Sequence, residues 1–302
     1  MSRSEALPWI AFAAISLIWG STWLGHKWAL EDFTPAGLST IRLGLAGIGC
    51  LILGFMRGER WPQRQELPML LATGLVLTGL ANFLTSWSLL YIPSGIGAVL
   101  QAPIPVWMAL FAMRTDPLSG RGWLAVLAGF FGVALVVWPS SVNSIPVWPA
   151  VVCVVTAAAW SFASLLQRKH VRQGGLYLNA ALPMLLSASI GAVLSPLGFD
   201  YTHGHGVSLR AWISLAYLVV FGSMIAFASY IYLTRVWHPA RAGSFSYLNP
   251  VVAVALGVWL ANEQLSLRLI LGMAVILVSV WMLNTATRKP KAAVVARSQS
   301  EA

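Results

Sequence analysis

Apolar runs about as long as a bilayer's hydrocarbon core is thick recur ten times along this chain, and that recurrence limits the fold more than any single motif. A helix rises about 1.5 Å per residue, so about 20 apolar residues cross about 30 Å of hydrocarbon. The runs lie near 8–28, 35–56, 67–89, 94–113, 120–139, 148–167, 176–197, 212–235, 243–262 and 267–284. Of the 302 residues 58% are hydrophobic and 9% charged, too little polar surface to coat a water-soluble globule of this size. The expected class is all-α integral membrane, with ten transmembrane helices.

The ninth run, GSFSYLNPVVAVALGVWLANEQLS from Gly243 to Ser266, has an upstream copy in GAVLQAPIPVWMALFAMRTDPLS from Gly97 to Ser119. At a constant offset Pro103 falls on Pro250, Asp116 on Glu263, Ser119 on Ser266 and Arg121 on Arg268; a slightly shorter offset pairs Pro8 with Pro149 and Trp19 with Trp160. The chain thus divides into two similar five-helix halves, 1–140 and 147–287, followed by a basic tail at 288–302. Five spans is an odd number, so the second half enters the membrane upside down relative to the first. Such inverted repeats suit a protein that opens alternately to either side around a binding site near the midplane.

A net charge of +10 raises the question of nucleic acid. Placed on the ten runs, however, the basic residues segregate. Arg57, Arg60, Arg64, Arg168, Lys169, Arg172, Arg235, Arg241 and the tail fall on the side of Met1, whereas Lys27, Arg210 and Arg268 fall opposite. This is the positive-inside bias; it predicts both termini in the cytoplasm and needs no nucleic-acid partner. The first run is expected to be retained rather than cleaved as a signal, because Trp19 has its repeat partner in Trp160. Cys50 and Cys153 lie within runs, where a thiol packs as an apolar group.

Polar residues inside the runs mark candidate functional positions. Pro103, Pro105 and Pro250 interrupt the fourth and ninth runs and are expected to free the carbonyls of Val99, Gln101 and Ser246. Irregular backbone at membrane depth is tolerated where it packs in protein or lines a cavity, and Gln101, Ser246, Tyr247 and Asn249 surround these breaks. Stripes at helical spacing add Ser16, Trp19 and Trp23; Thr78, Asn82 and Thr85; Thr156, Trp160, Ser164 and Gln167; and Ser223, Phe227, Tyr230 and Thr234. Each stripe lines a shared interior space or bonds between helices. Arg42 is the formally charged residue set well inside a run. Its burial costs at least about 2.5–3.5 kcal/mol, which makes it a functional candidate. It holds a substrate carboxylate, snorkels outward, or bonds broken-helix carbonyls. The fifth and tenth runs, with Ala125, Gly129, Gly132 and Gly272, read as scaffold or as the face of a homodimer.

Trp19-Gly20-Ser21-Thr22-Trp23, Arg42, Ile92-Pro93-Ser94-Gly95, and Tyr247-Leu248-Asn249-Pro250-Val251-Val252 through Glu263-Gln264-Leu265-Ser266 together resemble the EamA-type transporters of the drug/metabolite transporter superfamily. The resemblance covers both halves. It implies ten helices in two inverted repeats, export of small metabolites such as amino acids, and a central cavity lined mainly by the first, third, fourth, sixth, eighth and ninth helices. Asp116-Pro117 departs from the pattern, since a glutamate is usual there.

The candidate substrate-binding set is therefore Trp19, Arg42, Asn82, Gln101, Trp160, Phe227, Tyr230, Tyr247 and Asn249, a largely neutral and aromatic collection that favours a small amphiphilic solute. The chain has no GxxxxGK[ST] loop for ATP, which points to secondary transport. All nine acids lie in loops or at run ends, which favours facilitated export or exchange over a carboxylate proton relay. His26, His170, His203, His205 and His238 also fall at helix ends or in loops, and HExxH is absent, so neither an intramembrane enzyme nor a metal or other cofactor is expected. A channel or a non-transporting receptor remains the alternative.

Overall fold

A computed structural model describes residues 3–113, 119–137, 146–195, 200–204, 206–237 and 243–286. Asp116, His205, His238 and the tail at 288–302 lie outside the described residues, as does the Tyr247 side chain. Among the described residues the regular elements are helical. Seven are long and apolar enough to cross a membrane: α1 (Arg3–Ala29), α2 (Pro35–Met56), α3 (Leu67–Ser88), α4 (Ser94–Ala112), α6 (Val147–His170), α7 (Leu176–Leu194) and α8 (Leu209–Val236). Three further apolar helices, α5 (Gly120–Val137), α9 (Leu248–Ala261) and α10 (Leu267–Ala286), make a set that fits the ten runs. Large apolar side chains face outward all round the bundle, among them Trp259 and Met56, each 78% exposed, as expected where the surrounding solvent is lipid.

A helix in hydrocarbon satisfies its own backbone except at its first and last turns, so the ends are where sequence must supply partners. Thr34 caps α2, its Oγ1 accepting from the Gly37 N–H at 2.9 Å, with Pro35 in the first turn where no N–H is needed. Ser208 caps α8 through the Ala211 N–H at 3.2 Å. Two other helices are capped from a distance by carboxylates. Glu59, after α2, accepts from the N–H groups of Leu176, Tyr177 and Leu178 (3.0, 2.9 and 3.0 Å) at the start of α7. Glu263, after α9, accepts from the Ser94 N–H and Oγ–H (2.7 and 2.6 Å) and the Gly95 N–H (3.1 Å) at the start of α4. Negative charge there meets both unpaired donors and the positive end of the helix dipole. Asn262 turns the chain toward this position with a left-handed backbone (φ 52°), a conformation Asn tolerates better than most residues.

The interruptions differ in part from expectation. Helix α4 does break, at Ala102–Pro103. Yet the Val99 carbonyl is not left open, because the chain tightens and the Ala102 N–H bonds it at 3.2 Å. The Ala102 and Ile104 carbonyls accept from Ser246 Oγ (3.3 Å) and Ser161 Oγ (3.2 Å), both from the other half of the chain. Around Pro250 there is no mid-helix break at all. A 3₁₀ turn over Gly243–Tyr247 leads into α9 at Leu248, which places Pro250 in the first turn, where its missing N–H leaves no bond unmade. Helices α3 and α8, third in their respective halves, each contain a π-helical stretch, Leu75–Leu80 and Leu218–Ile225.

Helices in matching places of the two halves pack together: α2 along α7, α4 against α9, and α5 along α10. The α5–α10 seam uses the small residues noted in the sequence. A Cβ on Gly132 would meet Ile276 Cγ1 at 2.7 Å, and one on Gly272 would meet Val136 Cγ2 at 2.4 Å. These glycines bring two backbones of the same chain together, the scaffold use of the seam.

Glu263→Gln keeps the side chain's shape but removes the charge facing three donors. It should destabilise the solubilised protein by about 1–3 kcal/mol, and Ser94→Ala by about 1 kcal/mol. Thermal unfolding in detergent is the measurement, and equal midpoints for Glu263→Gln and the parent would contradict the capping role.

Candidate functional site

Where the polar stripes converge, the bundle encloses a cavity of about 130 Å³. Its lining includes Trp19, Thr22, Trp23 and His26 from α1, Arg42 from α2, Thr78, Asn82 and Thr85 from α3, and Gln101 from α4. Trp160 from α6, Ser223 and Phe227 from α8, and Phe245, Ser246 and Asn249 around the start of α9 also belong to it. Helices α2 and α7 contribute too, through Arg42 and Met184, beyond the six helices that the resemblance implies.

One wall is aromatic. Trp19 and Trp160, partners in the internal repeat, meet edge to face at 6.2 Å between ring centroids. Phe245 lies 4.9 Å from Trp19, and Tyr230 lies 5.5 Å from Trp19 and 4.8 Å from Trp160. The Trp19 indole is held in place by its Nε1–H, which donates to the Gly222 carbonyl at 2.9 Å within the π-helical stretch of α8. Such a stretch shifts backbone bonds off the regular ladder and recurs at functional sites.

A polar part of the lining centres on Arg42, which is 5% exposed. Its Nε donates to Ser223 Oγ at 2.8 Å, and its Nη1 donates to Asn82 Oδ1 at 2.9 Å and to His26 Nε2. Arg42 therefore neither snorkels nor reaches the broken-helix carbonyls. Because a guanidinium only donates, His26 accepts through Nε2 and carries its proton on Nδ1, which faces Ser86 Oγ at 3.2 Å. Every one of these partners is neutral, and among the described residues no carboxylate pairs with Arg42. Asn82 is itself fixed by its Nδ2–H donating to the Thr78 carbonyl at 2.6 Å. A Cβ at Gly222 would come within 3.0 Å of Arg42 Nη2 and 2.9 Å of Thr22 Cγ2, so glycine there leaves room for the guanidinium.

Of the candidates named from sequence, Trp19, Arg42, Asn82, Gln101, Trp160, Phe227 and Asn249 line this cavity. Gln101 Nε2 donates to Thr85 Oγ1 at 3.0 Å. Asn249, oriented so that its amide nitrogen faces two carbonyls, donates to Ser16 and Phe245 at 3.0 and 3.2 Å. Tyr230 lies behind the aromatic wall rather than on the cavity surface, its hydroxyl donating to Ser164 Oγ at 2.9 Å. His26 is the residue that sequence reasoning passed over. It does sit in the last turn of α1, yet it is buried, and the stripe through Trp19 and Trp23 reaches it three residues on.

Comparison with known proteins shows what carries this architecture. The model of the EamA-like transporter family matches twice, over residues 7–138 and 147–285. The chain belongs to the EamA-like transporter family. Its relatives include the Escherichia coli K12 inner membrane transporter YedA, 30% identical over 85% of this chain and 83% of that one. A protein of Streptantibioticus cattleyicolor named as a probable terminal-alkyne amino-acid exporter is 26% identical over 95% of this chain and 96% of its own. A crystal structure sharing 19% identity superposes with a TM-score of 0.70 over 95% of this chain and 99% of the other, a likeness of fold. Membership of the EamA-like family makes this a membrane-embedded transporter acting on a small molecule.

Removing one acceptor from Arg42 leaves a buried charged donor unpaired, so Asn82→Leu should lower stability by about 1–3 kcal/mol. In the Arg42→Leu background the same change should cost much less. A double-mutant cycle read by thermal unfolding tests this, and additive effects would remove the coupling.

Proposed function

We propose that this chain is a secondary carrier that exports small amphiphilic carboxylates, such as amino acids, across the inner membrane by alternating access. The observation that carries the reading is the buried Arg42 guanidinium, held by neutral side chains in a cavity that aromatic rings also line. A carboxylate would supply the missing counter-charge through the planar fork of Arg42, and an apolar side chain would lie against Trp19, Trp160 and Phe227.

Alternating access is supported by the doubled match to the family and by the packing of corresponding helices on each other. We read the halves, 1–140 and 147–287, as inverted repeats with both termini in the cytoplasm, in keeping with the distribution of basic residues. Ligand pockets for organic solutes commonly measure about 300–1,000 Å³. At about 130 Å³ the central cavity is smaller than that, so holding such a solute requires its walls to part. The amino-acid exporter among the relatives agrees with the substrate class. The use of Glu59 and Glu263 as helix caps favours facilitated export or exchange over a carboxylate relay.

In proteoliposomes, counterflow of labelled amino acids should be saturable. Arg42→Gln should abolish it, Arg42→Lys should lose most of it because a point charge replaces a bidentate fork, and Trp19→Ala or Trp160→Ala should weaken apparent affinity about tenfold or more. Full counterflow in Arg42→Lys would overturn carboxylate recognition, and conduction without counterflow would indicate a pore.

A further inference from the structure

A second and larger chamber, of about 370 Å³, lies at one end of the bundle. Its lining includes Arg168, Arg172 and Arg235 together with Asn179 and Tyr230. Arg168 Nη1 donates to the Trp237 carbonyl at 2.9 Å, and the Trp237 ring packs at 5.2 Å on Trp9 near the start of α1. The chamber thus belongs to the end where the chain begins. Arg235 Nη1 donates to the Gly174 carbonyl at 3.0 Å. These backbone partners orient two guanidinium groups without neutralising them. Two carboxylates stand near Arg235, Glu59 capping α7 and Glu66 accepting from the N–H groups of Arg172 and Gln173 at 3.1 and 3.2 Å; they offset part of its charge, but among the described residues neither forms an ion pair with the three guanidinium groups of the lining.

Asn179 adds a second, independent feature. It is 2% exposed, its Nδ2–H donates to the Gln173 carbonyl at 2.8 Å, and its Oδ1 is buried with no donor against it. A chamber with several guanidinium groups, and with an unsatisfied acceptor on a residue of its wall, suits an anion that also carries an N–H group. Tyr230 lines this chamber, while Trp19 and Trp160, against which it packs, line the central cavity. An aromatic partition, fixed by the Tyr230–Ser164 bond, therefore stands between the two spaces.

We propose that this chamber is a loading site, where a small carboxylate bearing an N–H donor is held by the arginines and Asn179 before the aromatic partition opens toward Arg42. The inference rests on the carrier reading above. At about 370 Å³ against about 130 Å³ for the central cavity, the outer chamber is the space of a size that solutes occupy, and its guanidinium groups raise the local concentration of anions. The same charge pattern fits the phosphate and ammonium of a phospholipid headgroup, so the test must separate the two sources.

Equilibrium binding of radiolabelled phenylalanine to the full-length protein, purified in a phosphate-free detergent, reads the stoichiometry. The parent should bind about two molecules per chain, and Arg42→Gln and the double variant Arg168→Gln/Arg235→Gln about one each. Asn179→Leu should weaken one site about tenfold. Arg168→Lys/Arg235→Lys, which keeps the charge, should retain both sites and so separates recognition from misfolding. A single site removed by Arg42→Gln alone would overturn the loading site and leave the carrier reading standing. A parent site count unchanged by Arg42→Gln but halved by the double glutamine variant would do the reverse. No binding to the parent would overturn both. One phosphorus atom per purified chain, lost in the double glutamine variant, would assign the chamber to a lipid headgroup and overturn its role for solute.

Discussion

No water reaches the hydrocarbon core, so each backbone amide and carbonyl there must find its partner within the protein. That constraint orders the structure. Where α4 breaks at Ala102–Pro103, hydroxyls of Ser161 and Ser246 take up the neighbouring carbonyls. Where α4 and α7 begin, carboxylates from distant parts of the chain take up the first amides. Each repair is also a tie between the two halves, because the donor or acceptor comes from across the repeat. Satisfying the backbone and fixing the tertiary arrangement are here the same set of bonds.

Arg42 presents the same problem in a sharper form, since a charge is harder to bury than a dipole. Asn82, Ser223 and His26 provide hydrogen bonds, but none provides a negative charge. A fully compensated arginine would be a structural element with nothing left to offer a solute. The arrangement seen holds the guanidinium in place while leaving its electrostatic demand open, in keeping with the anion site proposed for it. The aromatic wall complements it by offering apolar surface without competing polar groups.

Much of this was legible in the sequence. The spans fit the run lengths, polar stripes marked α1, α3, α6 and α8 among the cavity helices while Met184 of α7 carried no signal, and the meeting of Trp19 with Trp160 was foreshadowed by their equivalence in the repeat. Proline was less informative, because its effect depends on where a helix starts: Pro103 interrupts α4, but Pro250 falls in an opening turn and interrupts nothing. His26 was hidden by its position near a helix end, although only burial distinguishes it from a surface histidine. Glu263 was visible as part of a motif, but its work at Ser94 depends on a contact between residues far apart in the chain, which no local pattern reports.

The widened winding of α3 between Leu75 and Leu80 has a consequence for sequence change. A π stretch absorbs an additional residue while preserving the azimuth of everything downstream. Tightening it to α winding at constant length would turn the rest of α3 by about 100°, carrying Asn82 and Thr85 from the interior toward lipid. Deleting one residue there would keep both flanks in phase. Single-residue length variation at the heart of a transmembrane helix, ordinarily ruinous, is therefore geometrically permitted at this place and at its counterpart in α8.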